Sequence, residues 1–182
     1  MSTILLPLSF KFKPMTEACG RSALSWCYEP PYDFYNHDST QLESLIHNSF
    51  LNPAYHYFSV FDEKDSFIAF RCFGEDARVP GGDYNADALD MGGGLRPDLT
   101  GHGLGLQIIR AAMDFARAEF SPRAFRATVA EFKLRAQRAC EKVGYVPVQH
   151  FIATHSGVPF VIFIRDARSS QGSQVQDFER ME

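Results

Sequence analysis

Two hydrophobic periods alternate along this chain, and the switches between them mark its elements. Tyr57–Phe61 and Phe67–Phe73 are short apolar runs separated by Asp-Glu-Lys-Asp-Ser, a pattern that predicts an antiparallel hairpin. Further on, Leu104, Ile108, Ala111, Ala112 and Phe115 fall on one helical face, with Gln107, Arg110, Asp114 and Arg117 as a polar stripe beside it. That helix should run to about Phe120, roughly 25 Å at about 1.5 Å per residue, where Ser121-Pro122 stops it. Phe125–Ala130 then reads as a strand, and Lys133–Val143 as a second helix closed by Gly144. Val146–Thr154 and Pro159–Arg165 read as two last strands that turn through His-Ser-Gly.

The first half is less periodic. Residues 3–12 look strand-like, and Pro14 to Cys27 contains a short helix opening on Thr16 with Glu17 behind it. Trp26 to Tyr35 is aromatic and interrupted by Pro30-Pro31, which bars both helix and central strand. Asp38 or Ser39 caps a helix to about Asn48. After the hairpin, Glu75 to Asp87 is a polar loop, and Ala88–Leu95 is a strand carrying three consecutive glycines, the mark of a bulge or of close approach by a ligand. The order of strand, helices, hairpin, strand, helix, strand, helix and hairpin predicts a mixed α/β (α+β) fold, with helices covering a largely antiparallel sheet of about seven strands.

Composition narrows this picture. With 182 residues, 45% apolar and 22% charged, the chain suits one domain over residues 1–166 that folds without disulfides or a structural metal. The residues from Ala167 on are polar and read as a disordered tail. A formal charge of −4 provides no basic face for nucleic acid and mildly favours a cationic or neutral substrate. No run approaches the ~20 apolar residues of a membrane span, and the N-terminus reads as a strand rather than a signal. Cys19, Cys27, Cys72 and Cys140 are scattered and the histidines lack ligand spacing, so no metal site is expected and a reducing cytoplasm is the natural location.

The candidate chemistry lies between Asp90 and Arg110, where a strand end passes through a glycine-rich turn into the long helix. Backbone N–H groups at such a turn, together with the helix N-terminus, form a cradle for an anion. No lysine follows the glycines as a Walker loop requires, and Gly101, Gly103 and Gly105 recur every second residue rather than as G-x-G-x-x-G. A tight turn without a ligand is the competing reading of these glycines.

Thr100-Gly-His-Gly103-Leu-Gly105 resembles the coenzyme-A signature R/Q-x-x-G-x-G/A of the GNAT acetyltransferases. Leu95-Arg-Pro97 looks like the strand end that the family writes V-x-P. Lys133-Leu-Arg135-Ala136 through Cys140-Glu-Lys-Val-Gly144-Tyr145 looks like its second motif, N-x-R-A followed by Y-E-K-x-G-F. The aromatic stretch Trp26, Tyr28, Pro31, Tyr32, Tyr35, with Pro97-Asp-Leu-Thr-Gly, is similar to bacterial members labelled ribosomal-protein alanine acetyltransferases. The matched region is about residues 86–165.

The resemblance implies the GNAT acyltransferase fold and acetyl transfer from acetyl-CoA to a primary amine, on a small molecule or a peptide N-terminus. It places Thr100, Gly101, His102, Gly103, Leu104 and Gly105, with Lys133 and Arg135, around the coenzyme phosphates. The main chain at Gly94 and Leu95 would pair with the pantetheine, and Trp26, Tyr28 and Tyr32 would form the acceptor wall. Members often pair as homodimers through terminal strands, for which Val158–Ile164 is apolar enough.

Several positions depart from the pattern. Thr100 replaces Arg or Gln, Lys133 replaces Asn, and Cys140 stands where many members have the Tyr that protonates the departing thiolate. The fifth-strand glutamate that serves as base is Thr128 here, leaving Asp90 and Glu131 as the carboxylates available for that role. The bland readings are a core role for Cys140, a strand-end carboxylate at Asp90, simple packing for the aromatics and a solvent-exposed His102. Because Thr100, Lys133 and Cys140 depart together, a coenzyme-binding regulatory module with little turnover is the alternative, and a purely structural domain a third.

Overall fold

Strand alternation sets the architecture, because successive side chains of an apolar strand must find cover on opposite faces. In the computed structural model, which describes residues 9–169, seven strands form one sheet. They are β1 Lys11–Pro14, β2 Phe58–Phe61, β3 Phe67–Phe73, β4 Leu89–Leu95, β5 Ala124–Ala130, β6 Val146–Ile152 and β7 Pro159–Asp166. Their order is β1-β2-β3-β4-β5-β7-β6, and every neighbouring pair is antiparallel except β4 and β5. The helices are α1 Glu17–Leu24, α2 Leu42–Leu45, α3 Leu104–Phe120 and α4 Leu134–Lys142. None of the described helices is long and apolar enough to cross a membrane.

β3 shows how the faces divide. Phe70 packs on Trp26 and Phe50 on the α1 side, while Phe73, three residues on and so on the opposite face, packs on Phe115 and Phe120 of α3. The α3 side holds the larger core, with Phe73, Met113, Ala116, Phe125 and Phe163 from four elements. Burying each such Phe contributes about 1.5–3 kcal/mol.

The long helix has the expected ends because Gly103 and Ser121 flank it, both with left-handed backbone. Thr16 caps α1, accepting from the Cys19 N–H. The helix expected from Asp38 to Asn48 differs in pitch. Asp38 does cap it, but Ser39–Gln41 is a tight 3₁₀ turn, α2 is one α turn, and Ile46–Phe50 widens into a π turn. Ile46 and Phe50 both pack beside Gly20 of α1, and the changed pitch lets both bury there.

Three expectations need restating. The strand expected over residues 3–12 begins outside the described residues, and its described part is β1. The disordered tail expected from Ala167 lies outside them from residue 170, yet Ala167 itself is buried and its N–H bonds to the Arg123 carbonyl. Val158–Ile164 is no edge available for pairing. β7 lies between β5 and β6, so β6 forms that edge, with Val146, Val148 and Ile152 exposed.

Candidate functional site

β4 and β5 run side by side only briefly. Leu89 pairs with Phe125 and Asp90 with Arg126, after which no further rungs join them. β4 stays paired with β3 from Met91 to Leu95, and β5 with β7 along its whole length. A gap therefore opens in mid-sheet, and the strand ends beside it run into the N-termini of α3 and α4.

At the wide end, Gly101 and Gly103 take φ of +86 and +77, values a side chain would strain. A Cβ at Gly103 or Gly105 would meet nothing within 4 Å, so packing does not account for these glycines. No side chain caps α3, which leaves its first amides free for an anion. Arg135 stands beside this turn: its Nη1 lies 3.4 Å from where a Gly101 Cβ would be. Its Nε donates to the Tyr32 hydroxyl at 3.1 Å, and the guanidinium covers the Tyr32 ring. His102 is exposed, and the Thr100 hydroxyl turns away to donate to the Pro97 carbonyl at 2.8 Å.

Lys133 sits deeper. Its Nζ lies 3.7 Å from the centre of the Tyr35 ring, and burial beside Arg71 and Arg135 lowers its pKa to about 8. Arg71 was not among the sequence candidates. It is opposite Gly93 in the β3–β4 ladder, on the face that carries Phe73. A Gly93 Cβ would lie 2.8 Å from Arg71 Cδ and would also run into the Phe70 carbonyl, so the glycine makes room for the arginine as it crosses β4. A single charge within Phe-Ile-Ala-Phe-Arg-Cys-Phe was the available signal.

At the narrow end, the Asp90 assignment requires correction. This carboxylate is 2% exposed and bound by two arginines. Arg126 donates through Nε at 2.5 Å and Nη2 at 2.8 Å, and Arg78 through Nε at 2.8 Å. Hydrogen bonding to Asp90 raises the Arg126 pKa, and Tyr84 covers both guanidiniums. Asp90 is thus the counter-ion of a buried arginine, and three guanidinium N–H groups already occupy its oxygens.

Glu131 faces elsewhere: its Oε1 lies 2.7 Å from Nδ1 of His150 on β6, beyond β7 and away from β4. Cys140 is buried in the core, and its thiol is pushed up to about 11 by that burial. Trp26 is 8% exposed and stacked on Phe67, a packing residue rather than a wall. Tyr28 does reach the site, donating to the Leu95 carbonyl at 2.9 Å, and its hydroxyl lies beside Gly94. On this face the loop after β3 walls an open depression of about 480 Å³ lined by Arg78, Gly81, Gly82, Asp83, Tyr84, Asn85 and Gln149. Of the loop carboxylates, Asp76 accepts from Tyr57 and Asp87 lies 3.5 Å from Arg123.

No family model and no curated protein sequence matches the chain. Solved structures do. An acetyltransferase of the GNAT family from Bacillus anthracis superimposes with a TM-score of 0.68 at 9% identity, covering 88% of this chain and 96% of its own. A chimera of the spermidine N-acetyltransferase SpeG from Vibrio cholerae and hSSAT gives 0.66 at 14% identity, over 87% and 95%. The dodecameric Vibrio cholerae spermidine N-acetyltransferase gives 0.61 at 17% identity, over 87% and 94%. The seven-stranded sheet, its one parallel pair parted in the middle and the glycine turn at α3 therefore make up the fold of the GNAT acetyltransferases.

Proposed function

We propose that this protein is an N-acetyltransferase that carries an acetyl group from acetyl-CoA to a primary amine by direct attack in a ternary complex. The observation that carries this reading is the parted β4–β5 pair, which opens beside the uncapped N-terminus of α3. In this reading the amides of residues 101–105 receive the pyrophosphate, with Arg135 beside them. The gap-facing edge of β4 at Gly93 and Leu95 takes the pantetheine amides as an added strand, whereas Gly94 lies in a hydrogen-bonded rung with Phe70 of β3. The acceptor approaches from the opposite face, past Tyr28 and the loop that holds Asp83. It is the amine of a small molecule or of a peptide N-terminus, and a polyamine is among the amines to test, given the spermidine enzymes of the same fold.

In this reading Asp90 stays paired with Arg126 and Arg78, and Glu131 with His150, rather than taking the amine's proton. The proton therefore passes to solvent before attack, and turnover should rise with pH toward the acceptor's own pKa. The same observation favours a second reading, a coenzyme-A-binding module with little turnover. Thiol release from acetyl-CoA over a panel of polyamines, amino acids and peptides distinguishes the two. Release with one amine class supports the enzyme. Coenzyme A binding without release from any amine supports the module.

A further inference from the structure

β3, β5 and β7 each carry one arginine among apolar residues: Arg71, Arg126 and Arg165. Arg126 is neutralised by Asp90. Arg165 donates to the Val143 carbonyl and to Ser169. Arg71 differs from both. Its Nε is buried without a hydrogen-bond partner, and no acceptor or carboxylate among the described residues binds its guanidinium. Leaving a buried donor unmade is costly, and more so for a charged group.

Its surroundings indicate what is missing. Where it crosses Gly93 the side chain lies on the Phe73 face of the sheet, and its charge bears on Cys140, Tyr145 and Lys133. None of these is an anion at neutral pH. The Tyr145 hydroxyl donates to Met91 Sδ, and burial raises its pKa. Two cations, Arg71 and Lys133, thus share the floor of the gap with two neutral groups.

We infer that Arg71 is the charge that receives the departing sulfur of coenzyme A, so that the thiolate leaves as an ion pair rather than by proton donation. This rests on the acetyl-CoA reading. The amine lone pair forms the C–N bond and the carbonyl π pair moves to oxygen. On collapse the C–S bond breaks, its electron pair stays on sulfur opposite Arg71, and the nitrogen's proton goes to water. Amine and thioester thus become amide, thiolate and one solvated proton.

The alternative acid at this place is Cys140, held near 11. A thiol that weak cannot usefully protonate a coenzyme thiolate, whose conjugate acid lies near ~8.5 like an ordinary thiol. A guanidinium keeps its charge throughout and costs no proton transfer.

The test compares the affinities of coenzyme A and acetyl-CoA by calorimetry at pH 6 and pH 8. Both ligands carry the same phosphates, so the contribution of Lys133 and Arg135 to phosphate binding cancels in their ratio. Cys72, Cys140 and Tyr145 stay neutral in this range because burial raises all three. If Arg71 lowers the bound thiol from ~8.5 to ~7, the preference for coenzyme A grows roughly eightfold over this range. Ultraviolet absorbance of the bound thiolate should appear over the same range. Arg71→Met and Arg71→Gln should each flatten the ratio, whatever the change in acetyl-CoA affinity itself, because the ratio compares two ligands on the same variant.

A flat ratio in the wild type, with both ligands bound, overturns the inference without needing any variant. An unchanged rise in either Arg71 variant also overturns it. If neither ligand binds the folded wild type, the coenzyme reading fails and this inference fails with it.

Discussion

The two ends of the β4–β5 pair contain the same kind of side chain in opposite circumstances. At the narrow end, Arg126 is fully buried and its charge is met by Asp90 through two hydrogen bonds, with Arg78 on the same carboxylate. At the wide end, Arg71, Lys133 and Arg135 have no carboxylate partner among the described residues, and Lys133 and Arg135 lie over the rings of Tyr35 and Tyr32. One end is electrostatically closed and serves the fold. The other leaves its cations unbalanced, and the proposed coenzyme would supply the missing anion.

The contrast can be tested by breaking each end in turn. Removing the counter-ion at the narrow end should have the largest effect, because Asp90→Ala leaves Arg126 buried and uncompensated. A loss of about 3–5 kcal/mol in denaturant unfolding is expected. Asp90→Asn should also be destabilised. If Asp90→Asn kept wild-type stability and lost only turnover, Asp90 would be the base after all. Next comes Gly93→Ala, which sets a Cβ against Arg71 and the Phe70 carbonyl at φ +148, for a loss of about 2 kcal/mol.

At the wide end the sign reverses. Lys133→Met should stabilise the ligand-free protein by about 1 kcal/mol at pH 7, since it removes a charge that burial disfavours. Lys133 has a folded pKa of about 8, below its ordinary 10.5. Between those values the unfolded chain binds more protons, so wild-type stability rises with pH there and the advantage of Lys133→Met shrinks. Urea midpoints of both proteins from pH 7 to 10 provide the check. The smallest effect belongs to Thr100→Val: its hydroxyl serves only its own turn, and stability should change by about 1 kcal/mol or less, with coenzyme affinity nearly unaltered.

What could be read from the sequence depended on distance along the chain. The limits of α3, the cap at Thr16 and the hairpin of β2 and β3 rest on neighbouring residues, and the structure has them where the pattern put them. The glycine turn could be read for the same reason. The insertion of β7 between β5 and β6 could not, because hairpin patterning fixes which strands are joined but not which lies at the edge. Asp90 was misjudged because its partner Arg126 is 36 residues away and its other, Arg78, lies in a loop. Arg71 was overlooked within an apolar strand, although a lone charge there must be neutralised, hydrogen-bonded or waiting for a ligand.

The most direct measurement is a calorimetric titration of acetyl-CoA into the wild-type protein and into Arg135→Ala, each at low and high salt. The account predicts one molecule bound per chain, weaker binding as salt rises, and severalfold weaker binding in Arg135→Ala. Folded wild-type protein that gives no binding heat, or an affinity indifferent to both salt and Arg135, would contradict it.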